Sequence, residues 1–462
     1  MTAAPTRVVI LGGGFGALAV ARHLERALPP DGSVEVTLAS RTNYLLYTPM
    51  LAEVASGALE PHHIATPLRA FLRRVRVWQC EAKDVDLEKR VVTVQHAASE
   101  ETATLPYDHL VLALGSVVSY HGVPGAEQHS FPFKELGDAS AIRDRVIDCF
   151  EQAAIDHDPA HRRELLTFVV SGGGFSGVEL AAALADFLRE MRDYYPRLAN
   201  EKVYLVLAHH GHRLLEELSE DAAAYTLGIL KQQGIAVRLT TAVTAVTDRS
   251  VELSPGGTIP TRTVMWTAGI APSPLVETLP LPKDQHGAVI VDGHLAVQEH
   301  PGLWALGDCA HVPDVKHGGT YGPLAQNAEQ EGPVVARNIL ATLRGAPLET
   351  FDYRMLGQFA SLGERTAVAQ VLGQQFSGTL AWLAWRTVYL AKLPSNDRRV
   401  RVALDWAIDF IFPLDIVSTR YRGLPGATAQ PAPASASSSH SAASPRRRTR
   451  AAAQPGPAAA DS

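Results

Sequence analysis

The sequence predicts an α/β chain of two doubly wound modules, closed by an amphipathic helical region near its C-terminal end. Three observations carry this. A glycine-rich turn, LGGGFGALAV at 11–20, returns almost unchanged as SGGGFSGVEL at 171–180. Each copy lies between a short apolar strand and a helix rich in Ala and Leu, with a further strand beyond. Residues 378–412 then read as helical and largely apolar.

Taken in order, Arg7–Leu11 is a buried-type strand, Gly16–Leu28 a helix and Val34–Ala39 a second strand. Leu165–Val170, Gly172–Arg192 and Val203–Ala208 repeat that pattern. Such units join parallel strands by a right-handed crossover. Leu110–Leu114 is an apolar strand that stops at Gly115, Val264–Gly269 stops at Gly269, and Leu303–Leu306 runs into Gly307-Asp308. Residues 351–376 alternate as strands or a mixed hairpin. From 424 to 462 the chain is Ala, Pro and Ser with one RRRTR cluster, a composition that cannot bury a core and predicts disorder.

The bulk numbers set limits. At 462 residues, 46% apolar and 19% charged, the chain is long and apolar enough for two or three packed domains. A net charge of −6 argues against nucleic acid as a partner. Cys80, Cys149 and Cys309 are scattered, with no disulfide framework, CxxC or metal spacing, which fits a reducing compartment and no metal site. The N-terminus lacks the pattern of a signal peptide. No apolar run reaches the ~18 residues of a membrane-spanning helix.

Gly12, Gly14 and Ala17 fit G-x-G-x-x-G/A, and Gly172, Gly174 and Gly177 fit G-x-G-x-x-G. The first glycine permits the turn, the second lets a pyrophosphate reach the backbone, and the third position must be small for helix to pack on strand. Phe15, Gly16 and Phe175 lie in the same turns. One such turn is weak evidence, since glycines also join elements for steric reasons. Two in strand–turn–helix context predict two Rossmann-type dinucleotide sites, one for a tightly held FAD and one for diffusing NAD(P)H. The acidic residue that usually ends the second strand and holds the adenosine ribose is missing from both. Ser40, followed by Arg41, stands there in the first module and His209 in the second, so the sequence predicts that NADPH is tolerated. The alternative is that the histidines at 209, 210 and 212 are loop residues that select nothing.

These motifs, with NYLLYTPMLAEVASG at 43–57, LVLALGSVVSYHGVPG at 110–125, VMWTAGIAPSPL at 264–275, WALGDCA at 304–310 and AQNAEQEG at 325–332, resemble the type II NADH:quinone oxidoreductases over about residues 7–420. The resemblance implies a glutathione-reductase-like fold. Residues 1–125 and 259–345 would form the FAD domain, 126–258 the NAD(P)H domain, 346–423 a region for membrane or dimer contact, and 424–462 the tail. It places Thr48 and Pro49 beside the flavin ring. Gly115, Gly269, Gly307 and Asp308 become cofactor contacts, with Asp308 at the ribityl–pyrophosphate region. Ala325, Gln326 and Gln330 line the quinone site, and Glu179 lies where nicotinamide and flavin stack, as the nearest candidate for proton relay. Gln326 and Gln330, one turn apart, also fit an ordinary polar stripe, and Glu179 also fits a residue complementing a helix dipole. The expected activity passes hydride from NAD(P)H to flavin and two electrons to a membrane quinone, without proton pumping. The expected place is peripheral, on the cytoplasmic face of the cell membrane. A homodimer is the rival use of the amphipathic region at 379–412, because amphipathicity alone does not separate lipid from protein. The rival functions are a soluble ferredoxin- or rubredoxin-type reductase and a flavin-binding redox sensor.

Overall fold

Val8–Leu11 are four consecutive buried residues, the mark of a strand covered on both faces. In the computed structural model, which describes residues 4–96, 98–363, 365–413 and 415–418, they lie inside a seven-stranded sheet. Its order is Leu303–Ala305, His109–Leu112, Thr6–Leu11, Val34–Ser40, Arg76–Asp86, Val91–His96, Thr102–Pro106. The first five strands are parallel and the last two form an antiparallel edge. A second, five-stranded parallel sheet runs Phe131–Pro132, Thr263–Trp266, Thr167–Ser171, Tyr204–Ala208, Ala236–Arg238. In each sheet the strand that feeds a glycine turn has neighbours on both sides, so the turn opens where the strand order reverses. Ligands of doubly wound sheets bind in that crevice.

A two-stranded antiparallel link, Ser116–Val118 against Ile270–Pro272, joins the two modules. The helix Ala325–Arg344 then returns and packs across the helix Phe15–Ala27. Gly332 makes that crossing close: a Cβ there would press on Ala19 and on the Gly16 carbonyl. Gly332→Leu is therefore expected to cost about 1–3 kcal/mol by overpacking, read as a lower thermal midpoint.

The structure adjusts several sequence expectations. The 110–114 strand is His109–Leu112, because the chain turns early toward Gly115. Residues 351–376 give a three-stranded antiparallel sheet, Gly357–Ser361, Ala367–Val371 and Gln374–Gly378. The 378–412 region is two helices, Thr379–Lys392 and Asn396–Ile411, broken at Pro394, which has no N–H to continue the first. The tail expected at 424–462 lies outside the described residues.

Candidate active site

The two glycine turns have nearly the same backbone. Gly12 and Gly172 have φ of +116° and +117°, and each N–H donates to the end of the next strand, at Ala39 O and Ala208 O, both 2.8 Å. Side chains at Gly12 or Gly172 would strike Ala113 or Thr267. Gly14 and Gly174 differ in kind. Their backbone is extended, a Cβ on either meets nothing within 4 Å, and each begins a helix with no side-chain cap and no acid in its first turn. Free N–H groups at a helix start, approachable over bare backbone, suit a pyrophosphate. The residues therefore fit a dinucleotide at each turn. Ala17 is fully buried, and Gly177 lies against the Gly172 carbonyl, so both third positions serve helix–strand packing. Phe15 and Phe175 each open a helix and pack partly buried. Gly16 faces Leu306 and the Ala328 carbonyl.

Around the first turn the other residues fall as follows. Ser40 is buried against Gly13. Arg41 points to Glu135, with which it pairs at the surface. Gly115 turns at positive φ beside Ser116, whose Oγ donates to Asp308 Oδ2 at 2.5 Å. Lys134 Nζ donates to Ser116 Oγ at 2.6 Å and stands 3.7 Å from Asp308, so one cation completes the cluster. Gly307 donates its N–H to Glu331 Oε2 at 2.7 Å. Burial pushes Glu331 up to about 7, against that hydrogen bond, with Asp308 adding to the rise. Gly269, at φ +113°, leaves room for the His121 ring.

Thr48 is exposed and Pro49 half-buried in a short turn, Thr48–Met50, that leads into the helix Leu51–Ala55. Ala325 begins its helix, Gln326 Nε2 donates to Tyr353 OH at 2.5 Å, and Gln330, one turn on, is exposed.

A file of aromatic rings leads away from the first turn. Phe15 meets Tyr47 at 5.9 Å, Tyr47 meets Tyr389 at 6.2 Å, Tyr389 meets Trp385 at 5.0 Å, and Trp385 meets Trp406 at 6.2 Å. Two half-buried carboxyls lie beside it. Glu179 Oε1 accepts the Ser361 N–H at 3.0 Å. Its carboxyl thus goes to a separate sheet, past the first turn of its helix, so it does not serve that helix's dipole. Burial pushes Glu179 up to about 8, against the Ser361 bond and with Glu53 adding to the rise. Glu53 Oε2 accepts from Trp406 Nε1 at 3.1 Å. Burial pushes it up to about 7, Arg386 opposes, and Asp409 and Asp405 add. The Arg386 guanidinium lies over Trp382 and Trp406, 4.3 and 4.5 Å from their centroids.

In the last helix one acid turns inward. Arg401, Asp405 and Asp409 share a stripe in sequence, but Asp405 faces the protein, 2.5 Å from His63 Nδ1 and accepting the Glu60 N–H at 3.3 Å. Arg399 caps the preceding helix through the Ala391 and Leu393 carbonyls. Val402 and Trp406 are buried, while Leu404, Ile408, Phe410, Ile411 and Phe412 are each more than half exposed. Among the described residues no helix is long and apolar enough to cross a membrane.

Sequence reasoning gave no role to Lys134 or Tyr353, and no individual role to Ser116, Glu331, Tyr47, Glu53 or Tyr389, although the first four of these lie inside the motifs quoted above and Tyr389 inside the apolar C-terminal run.

The comparisons agree with this geometry. Residues 6–332 match the family model described as pyridine nucleotide-disulphide oxidoreductase, and 355–414 that described as NDH2 C-terminal domain. The chain is 32% identical to a type II NADH:quinone oxidoreductase of Mycobacterium tuberculosis, covering 88% of this chain and 87% of that one. It is 31% identical to a probable NADH dehydrogenase of Dictyostelium discoideum, covering 89% and 91%. In structure it is similar to NDH2 of Plasmodium falciparum, with a TM-score of 0.83 at 21% identity over 90% of this chain and 100% of that one, a likeness of fold.

Proposed function

The chain belongs to the pyridine nucleotide-disulphide oxidoreductase family, in its type II NADH:quinone oxidoreductase branch, and from that premise we propose how its residues carry out the reaction. It is an FAD-dependent enzyme that oxidises NADH and reduces a quinone without pumping protons. Bound FAD supplies the chemistry by accepting a hydride from NADH and passing two electrons to the quinone.

The chain's own residues supply position, charge and protons. The helix starts at Gly14 and Gly174 hold the pyrophosphates of FAD and NADH. Lys134, Ser116 and Asp308 fix the polar end of the flavin's side chain. Glu179 is neutral at pH 7; since Oε1 accepts an N–H, its proton sits on Oε2 and is available to a reduced quinone. Gln326, held by Tyr353, orients the quinone, with Ala325 and Gln330 on the same helix face or turn. On this reading residues 1–125 and 259–345 form the FAD domain, 126–258 the NADH domain and 346–423 the membrane region.

The observation that best supports the reading is the aromatic file from Phe15 to Trp406, which connects the first glycine turn to the outer helices with Glu179 and Glu53 at its side. The test is anaerobic mixing with NADH and then with a short-chain quinone. Flavin absorbance should bleach and return; a flavin that bleaches but does not recover with quinone removes the quinone from the reading.

We place the protein peripherally on the cytoplasmic face of the cell membrane, with the helix Asn396–Ile411 lying flat and its inward charges satisfied by His63 and Arg386. Burying a large apolar side chain is worth about 1.5–3 kcal/mol. Ile408→Ser, Ile411→Ser and Phe412→Ser together should lower partition onto anionic vesicles at least about ten-fold. Turnover of a water-soluble quinone should persist. A triple variant that still binds vesicles but splits a dimer would assign this face to a second copy of the chain.

A further inference from the structure

The end of the strand Tyr204–Ala208 is where a module of this type holds the adenosine ribose, through a carboxylate in NAD-selective sites. This chain has His209 there, and the sequence alone offers no acid. The fold brings one from seven residues further on.

His209 is only 7% exposed. Its Nδ1 accepts the Gly173 N–H at 3.1 Å, inside the second glycine turn. Burial lowers its pKa, with His210 adding to the fall and Glu216 opposing, so the ring is neutral at pH 7. A neutral imidazole whose Nδ1 accepts must carry its proton on Nε2. That Nε2 is buried, and the acceptors it faces are the Glu216 side chain and the Arg213 backbone, neither in a hydrogen bond of ordinary geometry. The carboxylate facing it is Glu216, with Oε1 at 3.5 Å. The Glu216 side chain is 53% exposed, so it reaches from the buried ring out to solvent. Gly211 clears the space, since a Cβ there would strike both the Glu216 carboxylate and the His209 ring. The Glu216 carbonyl is held in turn by Arg213 Nη2 at 2.7 Å. Three positions, 209, 211 and 216, thus seat one carboxylate at the ribose end of the second site.

We propose that Glu216 takes the place of the missing strand-end acid, accepting the 2′-hydroxyl of NADH and rejecting the 2′-phosphate of NADPH, with His209 as the residue that positions it. This rests on the reading that NADH occupies the second glycine turn. A hydroxyl donates to a carboxylate, whereas a phosphate meets it as a like charge, so one group both attracts NADH and repels NADPH. On this proposal NADH selectivity replaces the tolerance of NADPH expected from the sequence.

The test uses the full-length, FAD-loaded protein. Calorimetry gives dissociation constants for ADP-ribose and 2′-phospho-ADP-ribose, and anaerobic mixing gives the rate of flavin bleaching by NADH and by NADPH. The wild type should favour ADP-ribose and NADH by at least about ten-fold. Glu216→Gln should cut both preferences by roughly ten-fold, mainly through tighter binding and faster bleaching with the phosphorylated forms. His209→Phe, which keeps a ring but loses the Nε2 donor, should cut them less. A wild-type preference for the phosphorylated forms, or preferences unchanged in Glu216→Gln while NADH still bleaches the flavin, would overturn the assignment to Glu216. A wild-type flavin that NADH does not bleach would instead overturn the reading on which it rests.

Discussion

Gly174→Val yields a folded, yellow protein whose flavin NADH no longer reduces at a useful rate. Gly174 has φ −75° and ψ −173°, backbone that valine adopts without strain, and open space where a side chain would go. The first glycine of the same turn behaves differently. Gly172 has φ +117°, and a side chain there would drive into Thr267, so valine at 172 damages the fold itself. At 174 the cost falls on the ligand, because the side chain fills the space through which the pyrophosphate reaches the helix N-terminus. The expected loss is at least about 100-fold in the second-order rate of flavin reduction by NADH, or about 2.7 kcal/mol. Stopped-flow absorbance under anaerobic conditions measures it. Dithionite should still bleach the flavin, and the thermal midpoint should move by only a few degrees, since the helix start loses about 1 kcal/mol at most. Wild-type bleaching by NADH in this variant would place the dinucleotide elsewhere.

That contrast also explains what was legible in the sequence. The glycine turns were, because their physics is local: a left-handed residue, a bare backbone and a small packing position at fixed spacing. The strands feeding them were legible for the same reason, as continuous apolar runs. The residues that finish the site come from separate elements. Lys134 reaches Asp308 across 174 positions, shown by a contact that no pattern encodes. Glu216 supplies a carboxylate that the strand-end rule seeks at 209. The last helix was legible as amphipathic but not in orientation. Asp405 turns inward because His63 and Glu60, from a turn some 340 residues earlier, are there to meet it. Gly332 was visible as part of AQNAEQEG, but only the packed helices show that it is a close crossing.

Glu179→Gln should leave flavin reduction by NADH in place and slow reoxidation by a short-chain quinone by roughly 100-fold or more, the usual scale for losing a positioned acid. Burial holds the Glu179 carboxyl up to about 8, so it carries a proton at pH 7 and loses it as pH rises through that value. Wild-type reoxidation should therefore fall above about pH 8, and the glutamine variant should show no such limb. Glu53→Gln separates electrostatics from structure. Glu53 raises Glu179 by like charge, so removing that charge should move the falling limb to lower pH without abolishing it. Stability gives a second readout with a fixed sign. An acid whose folded pKa lies above its ordinary 4.5 binds more protons in the folded state. Its contribution is complete below the unfolded pKa and is lost as pH rises toward about 8. Glu179→Gln should flatten the decline in thermal midpoint between pH 7 and 8.5, a window above the range in which the buried histidines act in the opposite sense. A variant that flattens the stability curve but reoxidises at the wild-type rate would confine Glu179 to the fold and send the search for the quinone's proton donor to Glu53.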